Sequence, residues 1–230
     1  MSGGSIASPA SRPVAQPDPS DRAGALTLTP VSRETAARLD RFVAVLLDWQ
    51  QHTNLIAPST VPNLWTRHIA DSLQLLALAP EAQIWVDLGS GGGFPGLVIA
   101  CALADTPGAQ IHLVESTQKK AAFLREATQA TRAPAVIHAE RIADFVKHAP
   151  QRIDIVTARA LAPLPKLLAE AYPLLKTPAR GLFPKGQDVA IELTEAAKCW
   201  NVQVTLAPSR TDPRSRIIVL DAIEPRIPPG

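Results

Sequence analysis

Residues 86–96, Val-Asp-Leu-Gly-Ser-Gly-Gly-Gly-Phe-Pro-Gly, constrain this chain more than any other stretch. The apolar run Gln83–Leu88, with Ile84 and Val86, reads as a buried strand whose end carries Asp87. Gly89, Gly91, Gly92 and Gly93 follow, and a backbone without Cβ atoms can turn sharply and approach a ligand. Pro95 suits the first turn of a helix, and Leu97, Val98, Ile99 and Ala100 continue as its buried body. Strand, glycine loop and helix in that order build the nucleotide-cofactor crevice of an α/β fold. A glycine-rich turn with no ligand is the structural alternative.

Two cofactor classes compete for the loop. Gly91-Gly92-Gly93-Phe94-Pro95-Gly96 satisfies the dinucleotide pattern G-x-G-x-x-G, but a loop with this many glycines satisfies many patterns. The other register, Asp87-x-Gly89-x-Gly91-x-Gly93, is the motif of Rossmann-like S-adenosylmethionine (AdoMet) methyltransferases. Charge separates them. A pyrophosphate on the helix N-terminus would be repelled by Asp87, whereas the sulfonium and ammonium of AdoMet would be favoured by it. A second strand, Gln110–Glu115, ends on an acid 26 positions after Gly89, where a carboxylate can accept from ribose hydroxyls. Glu115 fits NAD equally well by this feature, and its structural alternative is an N-cap for the helix beginning near Thr117.

The chain has 230 residues, enough for one α/β domain and an appendage. Neither a run of apolar residues long enough to span a bilayer nor a signal-peptide pattern is present, which points to a soluble cytoplasmic enzyme. Cys101 and Cys199 lack metal-ligand spacing, and Cys101 falls in an apolar helix and belongs to the core. The five histidines are scattered, so no metal site is expected. A net charge of +2 restricts any nucleic-acid surface to a local patch.

Residues 1–28, rich in Ser, Pro, Ala and Gly, are expected to be a disordered extension, and residues 223–230 a loose tail. Between them, residues 29–80 read as a small helical lobe. Thr29-Pro30 is a cap followed by a first-turn proline, with Leu39, Phe42, Val43 and Leu46 on one face as far as Trp49. A second helix is predicted over 62–78. Residues 81–222 then alternate strands and helices, with strands at Ile84–Leu88, Gln110–Glu115, Ala135–His138, Ile153–Ala158, Gly181–Lys185, Val202–Leu206 and Arg216–Asp221. The pattern predicts a seven-stranded, mostly parallel, doubly wound α/β sheet. The last two strands leave no room for a helix between them and form an antiparallel hairpin, a methyltransferase feature absent from the usual dinucleotide fold.

In the second helix Trp65, Ile69, Leu73 and Leu76 gather on one side, and Arg67, His68 and Asp71 on the other. Spacing alone makes Arg67 and Asp71 a surface ion pair, or part of a polar strip at an active-site mouth.

Several ordered motifs together carry a family resemblance over roughly residues 30–222. They are Trp49-x4-Asn54-Leu55, Arg67-His68-Ile69-x-Asp71-Ser72, the loop Asp87–Gly96, Glu115-Ser116-x3-Lys120-x2-Phe123-Leu124, Arg159-Ala160 and Lys185-Gly186. With them the chain resembles the bacterial small-subunit ribosomal RNA guanine-N7 methyltransferases, the glucose-inhibited division protein B family. The resemblance implies a class I AdoMet-dependent methyltransferase fold. It also implies AdoMet contacts at Gly89 and Phe94, an adenine flanked by Ile142 and Ala143, and a cofactor-site position for Arg159. The family usually has Glu where Ala143 stands, so a backbone contact is expected there. For Arg159 the alternative is a pair with Asp87 or Asp154. Gly91, Asp87 and Glu115 complete the expected cofactor set, and Arg67, His68, Asp71 and Lys185 the expected positioning set.

The chemistry is consistent by elimination. Exocyclic-amine methylation commonly uses an Asn/Asp-Pro-Pro-aromatic motif after the fourth strand, where this chain has Thr157-Ala158-Arg159-Ala160. Methylation at a pyrimidine carbon needs a nucleophilic cysteine, and neither thiol is suitably set. Guanine N7 needs neither, because its lone pair is free and no proton must leave; positioning would supply most of the rate. A cation gripping O6, from Lys185 or Arg67, fits an attacking N7. Lys119, Lys120, Arg125, Arg210, Arg214 and Arg216 are candidates for phosphate contacts, or solvated surface charges. The expected substrate is small-subunit ribosomal RNA in an assembled or partly assembled subunit, and the expected state a monomer. An AdoMet-binding ribosome-assembly factor with little catalysis, and an NAD-linked oxidoreductase, are the rival readings.

Overall fold

A computed structural model of the protein describes residues 16–176 and 178–226. Its seven strands are β1 (Ile84–Leu88), β2 (Gln110–Val114), β3 (Ala135–His138), β4 (Ile155–Thr157), β5 (Arg180–Lys185), β6 (Trp200–Pro208) and β7 (Arg216–Pro225). They form one sheet in the order β3-β2-β1-β4-β5-β7-β6. The first five pair in parallel, and β7 runs antiparallel to both β5 and β6. This is the mostly parallel α/β sheet with a terminal hairpin that the strand pattern predicts. Chain order reverses between β1 and β4, which opens a crevice at the C-terminal ends of those strands, where the glycine loop leaves β1.

Central strands of such a sheet are covered on both faces, so their side chains alternate between two cores. Trp85 packs with Phe42, Leu97 and Phe123 on one side. Its neighbours Val86 and Leu88 pack with Phe145, Leu168 and Phe183 on the other. Helices α4 (Gly96–Ala102) and α5 (Gln118–Thr131) cover the first face, and α6 (Ile142–Phe145), α7 (Leu164–Leu175) and α8 (Val189–Ala196) belong to the second. Cys101 is fully buried in α4, as its apolar setting implies.

The N-terminal lobe departs from the sequence reading in three places. Pro19–Leu28, assigned by composition to the disordered extension, is helix α1; residues 1–15 lie outside the described residues. Asp18 accepts from the Ser20 amide at 2.8 Å, and Pro19 occupies the first turn. Asp21 then accepts from the backbone amides of Trp65 and Thr66 at 2.8 and 3.2 Å, and Arg22 binds Asp40 at 2.7 Å. Composition registers how little apolar surface this segment offers, and misses these polar ties to distant chain.

Helix α2 (Arg33–Gln50) starts later than expected. Ser32, not Thr29, is its cap and accepts from the Thr35 amide at 3.0 Å, while Thr29 closes α1. The segment 65–78 is not one regular helix. It winds as a π-helix (Trp65–Ala70), one α turn (α3, Asp71–Leu73) and a 3-10 helix (Gln74–Leu78). Trp65, Ile69 and Leu73 are buried as the apolar stripe predicts. Similarly, β7 continues to Pro225, so residues 223–225 are strand rather than tail; Ile223 pairs with Val202 and is buried. Residues 227–230 lie outside the described residues.

Candidate active site

Asp87 ends up beneath the glycine loop and fully buried. One carboxylate oxygen, Oδ2, accepts from the Gly96 amide at 3.1 Å and so holds the N-terminus of α4. The other, Oδ1, has no hydrogen-bond partner. Burial pushes the carboxyl up to about 7, opposed by the nearby Ser90 hydroxyl and by the Gly96 amide hydrogen bond. Asp87 does not line the cavity, so its influence on a ligand there passes through the loop and not by side-chain contact.

Above it opens a cavity of about 1010 Å³, bounded by the loop on one side and by the 65–78 segment and the β6–β7 turn on the other. Gly89, Gly91 and Phe94 line it. Gly91 has φ +53°, and a Cβ built there would meet nothing nearer than the Gly89 carbonyl oxygen at 3.7 Å. It would project into free space, which is the space a ligand needs. Glu115 closes the loop from β2: Oε2 accepts from the Gly91 amide at 3.0 Å and Oε1 from the Thr117 amide at 2.7 Å. Both oxygens thus brace backbone and fix the loop, but Glu115 is not the helix cap: that position is Thr117, whose own amide it binds. Ile142 and Ala143 begin α6, after β3 and its Arg141 cap, and neither lines the cavity.

Arg159 organises the opposite wall. Its side chain, 17% exposed, reaches back from β4 and donates to Asp71 Oδ2 at 3.3 Å and to the Arg67 carbonyl at 3.1 Å. Its other terminal nitrogen meets His68 Nδ1 at 2.7 Å. A guanidinium has no acceptor, so Nδ1 accepts, and His68 Nε2 carries the proton it gives to Thr60 Oγ1 at 2.8 Å. Burial first, then the charges of Arg159 and Arg67, push His68 down to about 3, so the ring is neutral at pH 7. Burial also pulls Arg159 below its usual range, with Asp71 opposing. Both groups lie against Phe94: the His68 ring centroid is 4.9 Å from it, and the Arg159 Cζ is 4.9 Å from its centre. The adjoining Ala160 has φ +53°, a conformation disfavoured for any residue with a Cβ.

The Arg67–Asp71 ion pair considered from spacing is not formed, and Arg159 pairs with neither Asp87 nor Asp154. Asp71 binds Arg159, and it also accepts from Gln74 and Thr211 at 2.9 Å each. Arg67, 52% exposed, pairs instead with Asp212 at 3.4 Å. Asp154, the other acid considered for Arg159, accepts from the Gln83 and Ile84 amides at 2.9 Å. Sequence reasoning missed Thr60, Thr211 and Asp212. A polar turn between two strands was the available signal, but nothing local says that it folds over a helix 140 residues away.

Lys185 lies in the cavity at the end of β5, where its strand predicts. It is not a free cation. Its Nζ donates to Glu192 at 2.7 Å and to the Ala162 carbonyl at 3.1 Å. Lys120 and Arg216 also line the cavity, whereas Lys119 is turned to the His52 carbonyl at 2.7 Å. Lys120 therefore faces the cavity, unlike Lys119 beside it. Arg125, Arg210 and Arg214 are exposed and outside the cavity. Cys199 is exposed and does not line the cavity either; burial pushes Cys101 up to about 12, so neither thiol serves as a nucleophile there.

The loop, the buried acid beneath it and the strand order are those of class I methyltransferases. Comparison with known proteins gives the narrower assignment. Residues 35–214 match the family model described as GidB, rRNA small subunit methyltransferase G. The chain belongs to this family. A "Ribosomal RNA small subunit methyltransferase G" of Bradyrhizobium sp. (strain ORS 278) is 61% identical over 207 residues, covering 90% of this chain and 93% of the relative. Another, from Nitrobacter hamburgensis, is 63% identical over 206 residues, covering 90% of this chain and 79% of the relative. Among solved structures, an O-methyltransferase from Bacillus cereus in complex with SAH superposes with TM-score 0.59 at 11% identity. That superposition covers 89% of this chain and 97% of the neighbour, and at such identity it speaks to fold alone. The protein is a methyltransferase. No helix among the described residues is long and apolar enough to cross a membrane.

Proposed function

We propose that the protein transfers a methyl group from AdoMet to N7 of a guanine in small-subunit ribosomal RNA, acting as a cytoplasmic monomer on an assembled or partly assembled subunit. Family membership supports the RNA substrate. The observation that carries the choice of atom is the state of His68, the one histidine among the described residues that lines the cavity. Both its nitrogens are engaged, one by Arg159 and one by Thr60, and it is neutral. A site with its imidazole locked in this way suits a nucleophile that has no proton to lose.

The residues present fit AdoMet. Gly91 leaves open space where a side chain would intrude, and the unpartnered Asp87 Oδ1 puts a buried acid under a cationic ligand. Gly89, Gly91 and Phe94 would hold the cofactor from the loop; strand position assigns the ribose to Glu115 and the family resemblance the adenine to Ile142 and Ala143, none of which lines the cavity. When bound, AdoMet would supply a transferable methyl group on a positively charged sulfur, and methylation at N7 would leave positive charge on the guanine ring. Asp188, Glu192 and Asp212, all lining the cavity, would stabilise that positive charge as it develops. Arg159, pinned by Asp71 and His68, holds Phe94 and the cavity wall in register, so positioning supplies the rate. Arg67, Lys120 and Lys185 face the RNA.

The test is methylation of isolated small subunits, and of their naked RNA, with methyl-labelled AdoMet. Label recovered as 7-methylguanine at one nucleotide is the expected result. Label on an exocyclic amine, a ribose or a pyrimidine overturns the choice of atom, and AdoMet binding without turnover would favour an assembly factor.

A further inference from the structure

Two of the histidines that look scattered in the sequence converge at the end of β3. His138 closes that strand, Glu140 follows in the next loop, and His148 ends the short 3-10 turn Val146–His148. One ligand atom from each, two imidazole nitrogens and a carboxylate oxygen, lies within 4.8 Å of the others. We propose that His138 Nδ1, Glu140 and His148 Nε2 form a zinc site, separate from the methyl-transfer cavity, that clips residues 138–148 into a closed loop.

Hydrogen-bond accounting distinguishes this cluster from an ordinary ion pair. Gln110 Oε1 lies 3.1 Å from His112 Nε2, and an amide oxygen only accepts, so the His112 proton sits on Nε2. His112 Nδ1 is then an acceptor, and the ring nitrogen 2.9 Å from it, His138 Nε2, must be the donor. The proton of His138 is thereby committed to Nε2. Its Nδ1 presents a bare lone pair to Glu140 Oε1 at 3.6 Å, beyond hydrogen-bond range. Two acceptors facing each other across that gap leave a place that a cation would fill. The other carboxylate oxygen, Oε2, faces His148 Nε2 at 3.0 Å.

The donor set selects the metal. Two imidazoles and one carboxylate suit zinc and its borderline neighbours and not magnesium, which prefers oxygen ligands alone. Zinc–ligand bonds of about 2.0–2.1 Å in a tetrahedron place ligand atoms roughly 3.3 Å apart. His148, 55% exposed, closes the remaining distance from the surface, and its exposure leaves the fourth position to water. The chain His138–His112–Gln110 is the outer support that metal-bound imidazoles generally have. The clip brackets Ile142 and Ala143. Any consequence for cofactor affinity rests on the adenine role given to them above; zinc binding does not.

The experiment uses the full chain carrying Cys199→Ser, stripped with chelator, freed of AdoMet and titrated with zinc ions alone. One equivalent is expected to bind, to raise the melting temperature and to slow amide exchange across residues 139–148; magnesium is expected to do none of these. Glu140→Gln and His148→Ala alter partly exposed side chains, and each is expected to weaken zinc binding by more than about tenfold. Cobalt(II) in place of zinc is expected to give the visible absorption of a tetrahedral site, lost in both variants. Absence of stoichiometric zinc binding, or binding that persists unchanged in both variants, overturns the proposal.

Discussion

The two walls of the cavity are built on opposite principles. The glycine-loop wall is backbone, made within residues 87–96 and braced by carboxylates from strand ends: Asp87 under the helix N-terminus and Glu115 under Gly91. The facing wall is side chain. Arg159 from β4, His68 and Asp71 from the 65–78 segment and Thr211 from the β6–β7 turn meet there only because the chain folds. Backbone geometry tolerates few substitutions but is encoded locally. A side-chain network depends on every member for its satisfaction, and losing one leaves buried charge behind.

That contrast can be broken most forcefully at Arg159. Arg159→Ala removes the partner of Asp71 and the donor to His68 together, and breaking such a pair from one side costs about 3–5 kcal/mol. Urea unfolding should show this loss, and methylation should fall with it; a variant of unchanged stability would mean that the wall is held by something else.

On the backbone wall the sharpest variant is Gly96→Ala. Its Cβ would lie 2.3 Å from Leu113 Cδ2 and 2.7 Å from Asp87 Oδ2, so overpacking of about 1–3 kcal/mol is expected. Gly186→Ala, with nothing within 4 Å, is the control and should change stability little.

Titration separates the walls by sign. Asp87 binds its proton more tightly folded than unfolded, about 7 against 3.8, so its contribution to stability falls as pH rises through that window. His68 binds its proton less tightly folded, about 3 against 6.5, so its contribution falls as pH drops through 6.5 toward 3. Each effect is limited to roughly 1.4 kcal/mol per pH unit. Asp87→Asn should therefore relieve the loss on the alkaline side, and His68→Gln the loss on the acid side. Melting temperatures from pH 4 to 8 read both, and matching profiles for the two variants would contradict the contrast. AdoMet affinity should also rise as Asp87 ionises, and flatten in Asp87→Asn.

The smallest effect on stability is expected at the rim. Arg67→Ala removes a half-exposed pair worth at most about 1 kcal/mol, leaves AdoMet affinity unchanged and lowers RNA methylation. Calorimetry beside single-turnover assays measures both; a parallel loss of cofactor binding would put Arg67 on the wrong side of the cavity.

How much of this was legible in the sequence follows the same division. The strand-loop-helix unit, the seven strands and the closing hairpin could be read because periodicity and glycine spacing are local signals. Glu115 and Phe94 could be placed near the loop by their distance along the chain. The partner of Arg67 could not. Helical spacing offered it Asp71, and the actual partner, Asp212, lies 145 residues away.

Helix α1 shows why composition alone was insufficient. Residues 18–28 bury little apolar surface, and Asp18, Asp21 and Arg22 compensate through a cap, two backbone amides and an ion pair. His138, Glu140 and His148 make the same point differently, since their spacing matches no metal motif until β3 and the following turn bring them together. By itself the sequence determined what depends on neighbours along the chain: the strands, the glycine turn and the acids at strand ends. Tertiary structure decided which charges meet. Coulomb attraction and hydrogen bonding act through space over a few ångströms, and only packing sets those separations.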